Sequence, residues 1–191
     1  ALQKRKLAQG HEKAKEVIVE LNLAQPLSLE GIHDIYQVAP QGERLPIPLT
    51  SPEQRIGTTG IQVEPSKIKG IVITDLPDSP STIVPPDEDT IRIAGHLLDF
   101  LKQQVAEGKL PANLAPLQSG IGSVANAVFH GFLSSEFHSL DVYSEVLQDA
   151  VFDLLDAGKI RFASGCSITL SPKRMEQVLS NFDHYKEKIL F

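Results

Sequence analysis

The chain has 191 residues, 41% hydrophobic and 22% charged, with Lys+Arg 18 against Asp+Glu 24 and a net charge of -6. That composition argues against a disordered chain, and at this length roughly 70% of the unfolded surface can be buried without a disulfide or metal staple. The single cysteine, Cys166, excludes an intrachain disulfide and fits a reducing compartment. No apolar run approaches the roughly 20 residues of a membrane span. The opening ALQKRKLAQG lacks the apolar core of a signal peptide. The acidic balance argues against a general nucleic-acid binder, which needs clustered Lys and Arg. Lys4, Arg5, Lys6, Lys13 and Lys15, set against Glu12, read as a solvated face of a terminal helix.

After that helix, residues 16–21 (EVIVEL) are short, β-branched and apolar, which predicts a buried strand. From Pro26 to Pro65 recurrent prolines remove backbone donors and fix φ, predicting a loop-rich insertion. So long an irregular stretch is either functional or packed against something else. Residues 69–74 (KGIVIT) predict a second buried strand, and the acidic, Pro-rich stretch 75–89 predicts a linker. Thr90 is the expected cap of a helix whose apolar positions Ile91, Ile93, Ala94, Leu97, Leu98, Leu101 and Val105 recur at helical spacing up to Gly108. A strand at 114–118, a helix at 123–133, a strand at 140–143 and a helix at 145–156 follow. Strands at 159–163 and 167–170, a helix after Pro172 and the apolar run 189–191 complete the series. Such alternation predicts α/β layering with parallel strands.

Two features carry chemistry. The turn Gln118-Ser119-Gly120-Ile121-Gly122-Ser123-Val124 joins a strand to a helix, so its glycines let a ligand approach backbone amides that face an anion. With Asp141 about twenty residues on, it mimics a dinucleotide-binding turn, although Pro116 interrupts the preceding strand. A tight turn with no ligand accounts for the glycines equally well. The second feature is DVYSEVLQD, which places Glu145 at a helix start just past a strand's carboxyl end, where ligands bind in open α/β sheets. The helix dipole there would favour the ionised carboxylate that a nucleophile needs. The alternative is a solvated stripe of Asp141, Glu145, Asp149 and Asp153, spaced four apart.

The block LAPLQSGIGSVANAV, followed by DVYSEVLQDAVFDLLDAGKI and ASGCSITLS, resembles the acetyl-CoA hydrolase and succinate-type (acetate, propionate) CoA-transferase family. EGIHDIY, Arg55-Ile56-Gly57 and IAGHLLDFL match it in order and spacing, so the resemblance covers nearly the whole chain. It implies an α/β fold of CoA-transferase-type (NagB/RpiA-like) two-domain open sheets, present here as a partial chain. On that basis residues 1–88 are expected to be the end of the N-terminal domain with its insertion and linker. Residues 89–191 are expected to be the first part of the C-terminal catalytic domain. The resemblance implies that Glu145 is the nucleophile and that Gly120, Ile121, Gly122, Ser123 and Val124 contact coenzyme A. Coenzyme A is then substrate and product rather than a resident cofactor, with acyl-CoA and a carboxylate as small-molecule partners. It further implies no nucleic acid or membrane partner, a possible homodimer of the full-length protein, and a cytoplasmic or mitochondrial location. The chain is accordingly expected to be a central excerpt of a longer protein.

Three readings compete. Ser119, Ser123 or Ser144 with His96, His130 or His138 suggests a serine hydrolase, but no G-x-S-x-G elbow exists. The glycine turn also suits a non-covalent nucleotide-binding module. The histidines lack metal-ligand spacing, so no metal is expected. Cys166 reads as a small buried hydrophobe. His33-Asp34 has no evident chemical role, and Asp34 is expected to bond its local backbone in a turn.

Overall fold

The computed structural model describes residues 14–77 and 86–191, so the expected N-terminal helix and the middle of the expected linker lie outside the described residues. β1 (Val17–Asn22) pairs in parallel with β2 (Ile68–Thr74), from Ile18 opposite Gly70 to Asn22 opposite Thr74. The strands form where expected, but they are not buried: Ile18, Leu21, Ile71 and Ile73 are exposed. Apolar, β-branched composition signals a strand suited to cover on both faces. No helix among the described residues packs extensively on this pair.

Between these strands the chain is largely irregular, apart from single 3-10 turns at Leu27–Leu29 and Pro65–Lys67. α1 (Glu88–Ala106) begins earlier than the sequence suggested, because Asp87 is its cap. The Asp87 carboxylate accepts from the Thr90 amide at 2.8 Å, and the Thr90 hydroxyl donates to it as well, which lowers the Asp87 pKa. Ala94 is buried and Leu98, Leu101 and Val105 pack on the core, while Ile91, Ile93 and Leu97 stay exposed. The inward stripe is therefore narrower than the apolar pattern suggests. α1 lies against α2 (Ser123–Ser134), and at Gly131 the approach is so close that a Cβ would stand 2.6 Å from a Leu98 methyl.

β3 (Leu140–Tyr143), β5 (Ile160–Ser164) and β7 (Ile189–Leu190) form a parallel sheet in the order β3-β5-β7. Past β3 and β5 both chains bend together and resume as the short parallel pair β4 (Val146–Leu147) and β6 (Ser167–Ile168). The expected strand at 114–118 is reduced to one bridge, Leu117 to Val142, since Pro116 has no N–H to give a ladder. The helix expected from 145 starts later, as α3 (Asp149–Asp156), and α4 (Pro172–Ser180) follows.

The core lies between α2, α3, α4 and the three-stranded sheet. Phe132, Phe152, Phe182, Leu140, Leu147, Leu154 and Val142 are fully buried, and Phe132 packs edge-on against both Phe129 and Phe137. Under α4 the half-buried Arg174 pairs with Asp153 at 3.2 Å and Asp156 at 2.6 Å. Tyr185 donates to Asp156 at 2.9 Å, and burial together with that bond pushes its pKa up to about 12. Phe152 meets the Tyr185 ring edge-on at 5.2 Å, joining the apolar core to this polar cluster. Phe152→Ala is therefore expected to cost about 3 to 5 kcal/mol, read as a lowered midpoint in chemical denaturation.

Candidate active site

The glycine turn is held by β3. Leu117 accepts from the Tyr143 amide at 2.9 Å and donates to the Asp141 carbonyl at 2.7 Å. One residue further, the buried Ser144 hydroxyl donates to the Ser119 carbonyl at 2.9 Å and accepts from the Ser119 amide at 3.4 Å. Both backbone polar groups of Ser119 are thus fastened to the residue that follows β3. Gly122 caps α2 with φ 151°, a conformation that side-chain-bearing residues rarely adopt. It offers no side-chain cap, so the first-turn amides of Ser123 and Val124 face outward without an intrahelical partner. Gly120, Ile121, Gly122 and Val124 are exposed and Ser123 is half-buried. The structure therefore brings all five predicted loop residues to one accessible edge.

Glu145 sits in the bend between β3 and β4, not at a helix start, so no helix dipole acts along its side chain as the sequence suggested. Its position is fixed through its carbonyl, which accepts from the Cys166 amide at 2.8 Å and the Ser167 amide at 3.2 Å. Its side chain is exposed, with no hydrogen-bond or ion-pair partner among the described residues. A carboxylate anchored at the backbone and open at the oxygens suits a nucleophile. The solvated-stripe alternative fails, because the other three acids are engaged separately. Asp141 meets Arg161 at 2.7 Å, Asp149 accepts from the Ser171 amide at 2.9 Å, and Asp153 pairs with Arg174. Buried and paired in this way, Asp141 is not placed to take a ribose. Ser144, a candidate nucleophile in the serine-hydrolase reading, is spent on the loop.

The Pro-rich insertion forms the other side of the site. Phe191 donates to the Ile32 carbonyl at 2.8 Å and accepts from the Asp34 amide at 2.5 Å, so residues 32–34 of the insertion are tied to the residue that follows β7. The Asp34 carboxylate accepts from the amides of Ile56 at 3.1 Å and Gly57 at 2.7 Å. This is not the local turn bond expected, since the partners lie 22 and 23 residues away. Ile35 and Thr58 exchange two backbone bonds, and a Cβ on Gly57 would lie 2.3 Å from the Ile35 oxygen. A third tie is ionic. Arg161 on β5 grips Glu53 with two 3.0 Å bonds, which hold the Glu53 pKa down to about 2.

Between insertion and sheet lies a cavity of about 460 Å³, lined by Ile35, Val38, Ile47, Leu49, Tyr143 and Cys166 among others. Cys166 is half-buried in this wall, not within the core as expected. Neither this clasp of Asp34, Gly57 and the Arg161–Glu53 pair nor the cavity was foreseen from sequence; the signals were the length of the insertion and the segments EGIHDIY and Arg55-Ile56-Gly57, which hold most of the partners.

No family model matches the chain. The fold is shared with the crystal structure of RipA from Yersinia pestis, with a TM-score of 0.59 and 16% identity over 96% of this chain and 34% of that one. An acetyl-CoA hydrolase of Schizosaccharomyces pombe is 46% identical over 177 residues, 93% of this chain and 34% of that protein. A succinyl-CoA:acetate CoA-transferase of Clostridium kluyveri is 42% identical over 179 residues, 94% of this chain and 33% of that protein. The molecule is thus an α/β protein of the CoA-transferase fold. Over more than nine tenths of its length the chain is similar to these acetyl-CoA hydrolase and CoA-transferase relatives, and it spans about a third of their own length.

The clasp makes two testable demands. Gly57→Ala is expected to displace the insertion, seen as faster amide exchange at 35–36 and 56–58, while protection of β3 and β5 persists. The Glu53 carboxyl is expected to titrate near 2 by carbon NMR, and Arg161→Met is expected to move it up toward the ordinary glutamate range. Because this pKa is depressed on folding, the stability it adds is present above about 4.5 and fades as pH falls toward 2.

Proposed function

We propose that the chain carries the nucleophile and coenzyme A loop of an enzyme that moves CoA between an acyl-CoA thioester and a carboxylate such as acetate or succinate. The observation that carries this reading is the open Glu145 carboxylate, set beside a glycine turn that β3 holds rigidly. Relatives named acetyl-CoA hydrolase and succinyl-CoA:acetate CoA-transferase support the substrate class.

A glutamate is ionised at neutral pH. One oxygen attacks the thioester carbonyl, and the carbonyl electrons move to oxygen. The first-turn amides of Ser123 and Val124 are suited to receive that oxyanion, and one such donor is worth about 3 to 4 kcal/mol in comparable sites. Collapse expels CoA thiolate and leaves an acyl-glutamyl anhydride. The thiolate then attacks the glutamyl carbonyl, releasing the acyl group as a carboxylate and leaving CoA as a thioester on Glu145. An acceptor carboxylate runs these steps in reverse and restores the Glu145 carboxylate. Hydrolysis is the second reading, favoured by the hydrolase relatives; water then replaces the acceptor, releasing CoA and regenerating the acid. Ser144 acts here as a positioning residue, since it holds Ser119 and with it the amides of the turn.

Incubation of the full-length protein with succinyl-CoA or acetyl-CoA is expected to put a CoA mass on the Glu145 peptide. Glu145→Gln is expected to remove that adduct and lower turnover by several orders of magnitude. Unchanged turnover in Glu145→Gln would overturn the proposal. Competition between acetate, succinate and water in one assay separates transfer from hydrolysis.

A further inference from the structure

We infer that the cavity between the Pro-rich insertion and the carboxyl ends of β3 and β5 is the acyl subsite, and that it takes aliphatic acyl groups longer than acetyl. This rests on the reading of Glu145 and the glycine turn given above. Three consecutive residues set the geometry. The Ser144 hydroxyl points to the glycine turn, through its two bonds to Ser119. Tyr143 lines the cavity. Glu145 does not itself line the cavity, but its carbonyl is held by the amide of Cys166, which does. A thioester carbon attacked by Glu145 bears an oxygen, a sulfur and an acyl carbon. If oxyanion and carrier lie on the glycine side, the acyl carbon is directed to the side of Tyr143 and Cys166.

The wall suits such an occupant. Its charged and amide side chains each have a bond within the insertion. Asp34 accepts from Ile56 and Gly57, Gln54 bonds Thr50, and the Arg44 Nε donates to the Ala39 carbonyl at 3.1 Å. What remains is mainly aliphatic and aromatic: Ile35, Val38, Ile47, Leu49, Tyr143 and Leu190. The volume of about 460 Å³ falls in the usual range for small-molecule sites, roughly 300 to 1,000 Å³, and exceeds what a two-carbon group fills.

Cys166 reports on occupancy. In full-length Glu145→Gln protein, where acyl-CoA is not consumed, N-ethylmaleimide modification of the Cys166 peptide is followed by mass analysis with and without butyryl-CoA, acetyl-CoA or free CoA. Butyryl-CoA at ten times its Kd is expected to slow modification about tenfold, whereas free CoA leaves it unchanged. Each added methylene should tighten binding about fourfold. Equal protection by free CoA would assign the cavity to the carrier arm and overturn the inference. So would a Cys166 that reacts only after unfolding, because the cavity would then already be filled. A second variant tests the same wall: Ile47→Trp, at a half-exposed position, should lower the ratio of kcat/KM for butyryl-CoA over acetyl-CoA about tenfold or more. An unchanged ratio overturns the inference. Acyl-dependent protection of Cys166 without any CoA adduct on wild-type Glu145 would uphold the subsite and sink the covalent reading, so the two failures are distinguishable.

Discussion

A strand buried in a sheet must satisfy the polar groups of both its edges, and the site follows from how β3 meets that demand. One edge runs along β5 in parallel register, with Asp141 opposite Phe162 and Val142 opposite Ala163. The other has no full strand beside it, because Pro116 cannot donate, and it takes instead the two backbone bonds of Leu117. The residues that complete the edge of β3 therefore lead directly into the glycine turn. Ser144 then adds a side-chain clamp where the backbone ladder ends. Position of the turn and position of Glu145 are consequences of one constraint.

The bend after β3 does the complementary work. Had α3 begun at 145, the Glu145 carbonyl would belong to a helix and its side chain to that helix's first turn. Instead the carbonyl takes one amide from the β5–β6 connection and one from the first residue of β6, and the chain resumes as a strand for Val146 and Leu147 before α3 starts. Leu147 is fully buried, and at Gly165 a Cβ would come within 2.9 Å of its side chain, so the two bends nest against each other. This sets a carboxylate on a rigid backbone and leaves its oxygens open.

Much of this was legible in the residues. The strand at Leu140–Tyr143, the helix from Ser123 and the accessible glycine turn follow from local pattern, as does a glutamate just beyond a strand's carboxyl end. The start of α3 was not legible, since Val146 and Leu147 fit a helical apolar face as well as a short buried strand; the pairing with Ser167 and Ile168 decided it. Burial of β1 and β2 was misread because composition reports what a strand can pack against, not what covers it. The clasp was invisible for a different reason. Asp34 finds its amides 22 residues away and Arg161 finds Glu53 108 residues away, and a single sequence carries no periodicity that marks such pairings.

Asp34, Gly57, the Ile35–Thr58 bridge and the Arg161–Glu53 pair close the middle of the insertion and leave residues 37–52 as a cassette on a fixed frame. Loop-closure entropy grows only slowly with length. Provided Glu53 is kept for Arg161, a cassette of different length or composition can therefore be exchanged without disturbing β3, β5 or the glycine turn. Backbone contact at Gly57 bars any side chain there, so change is confined to the interior of the loop. Such an arrangement separates the part of the protein that holds the reacting carboxylate from the part that shapes the cavity wall, and lets the second diversify while the first stays put.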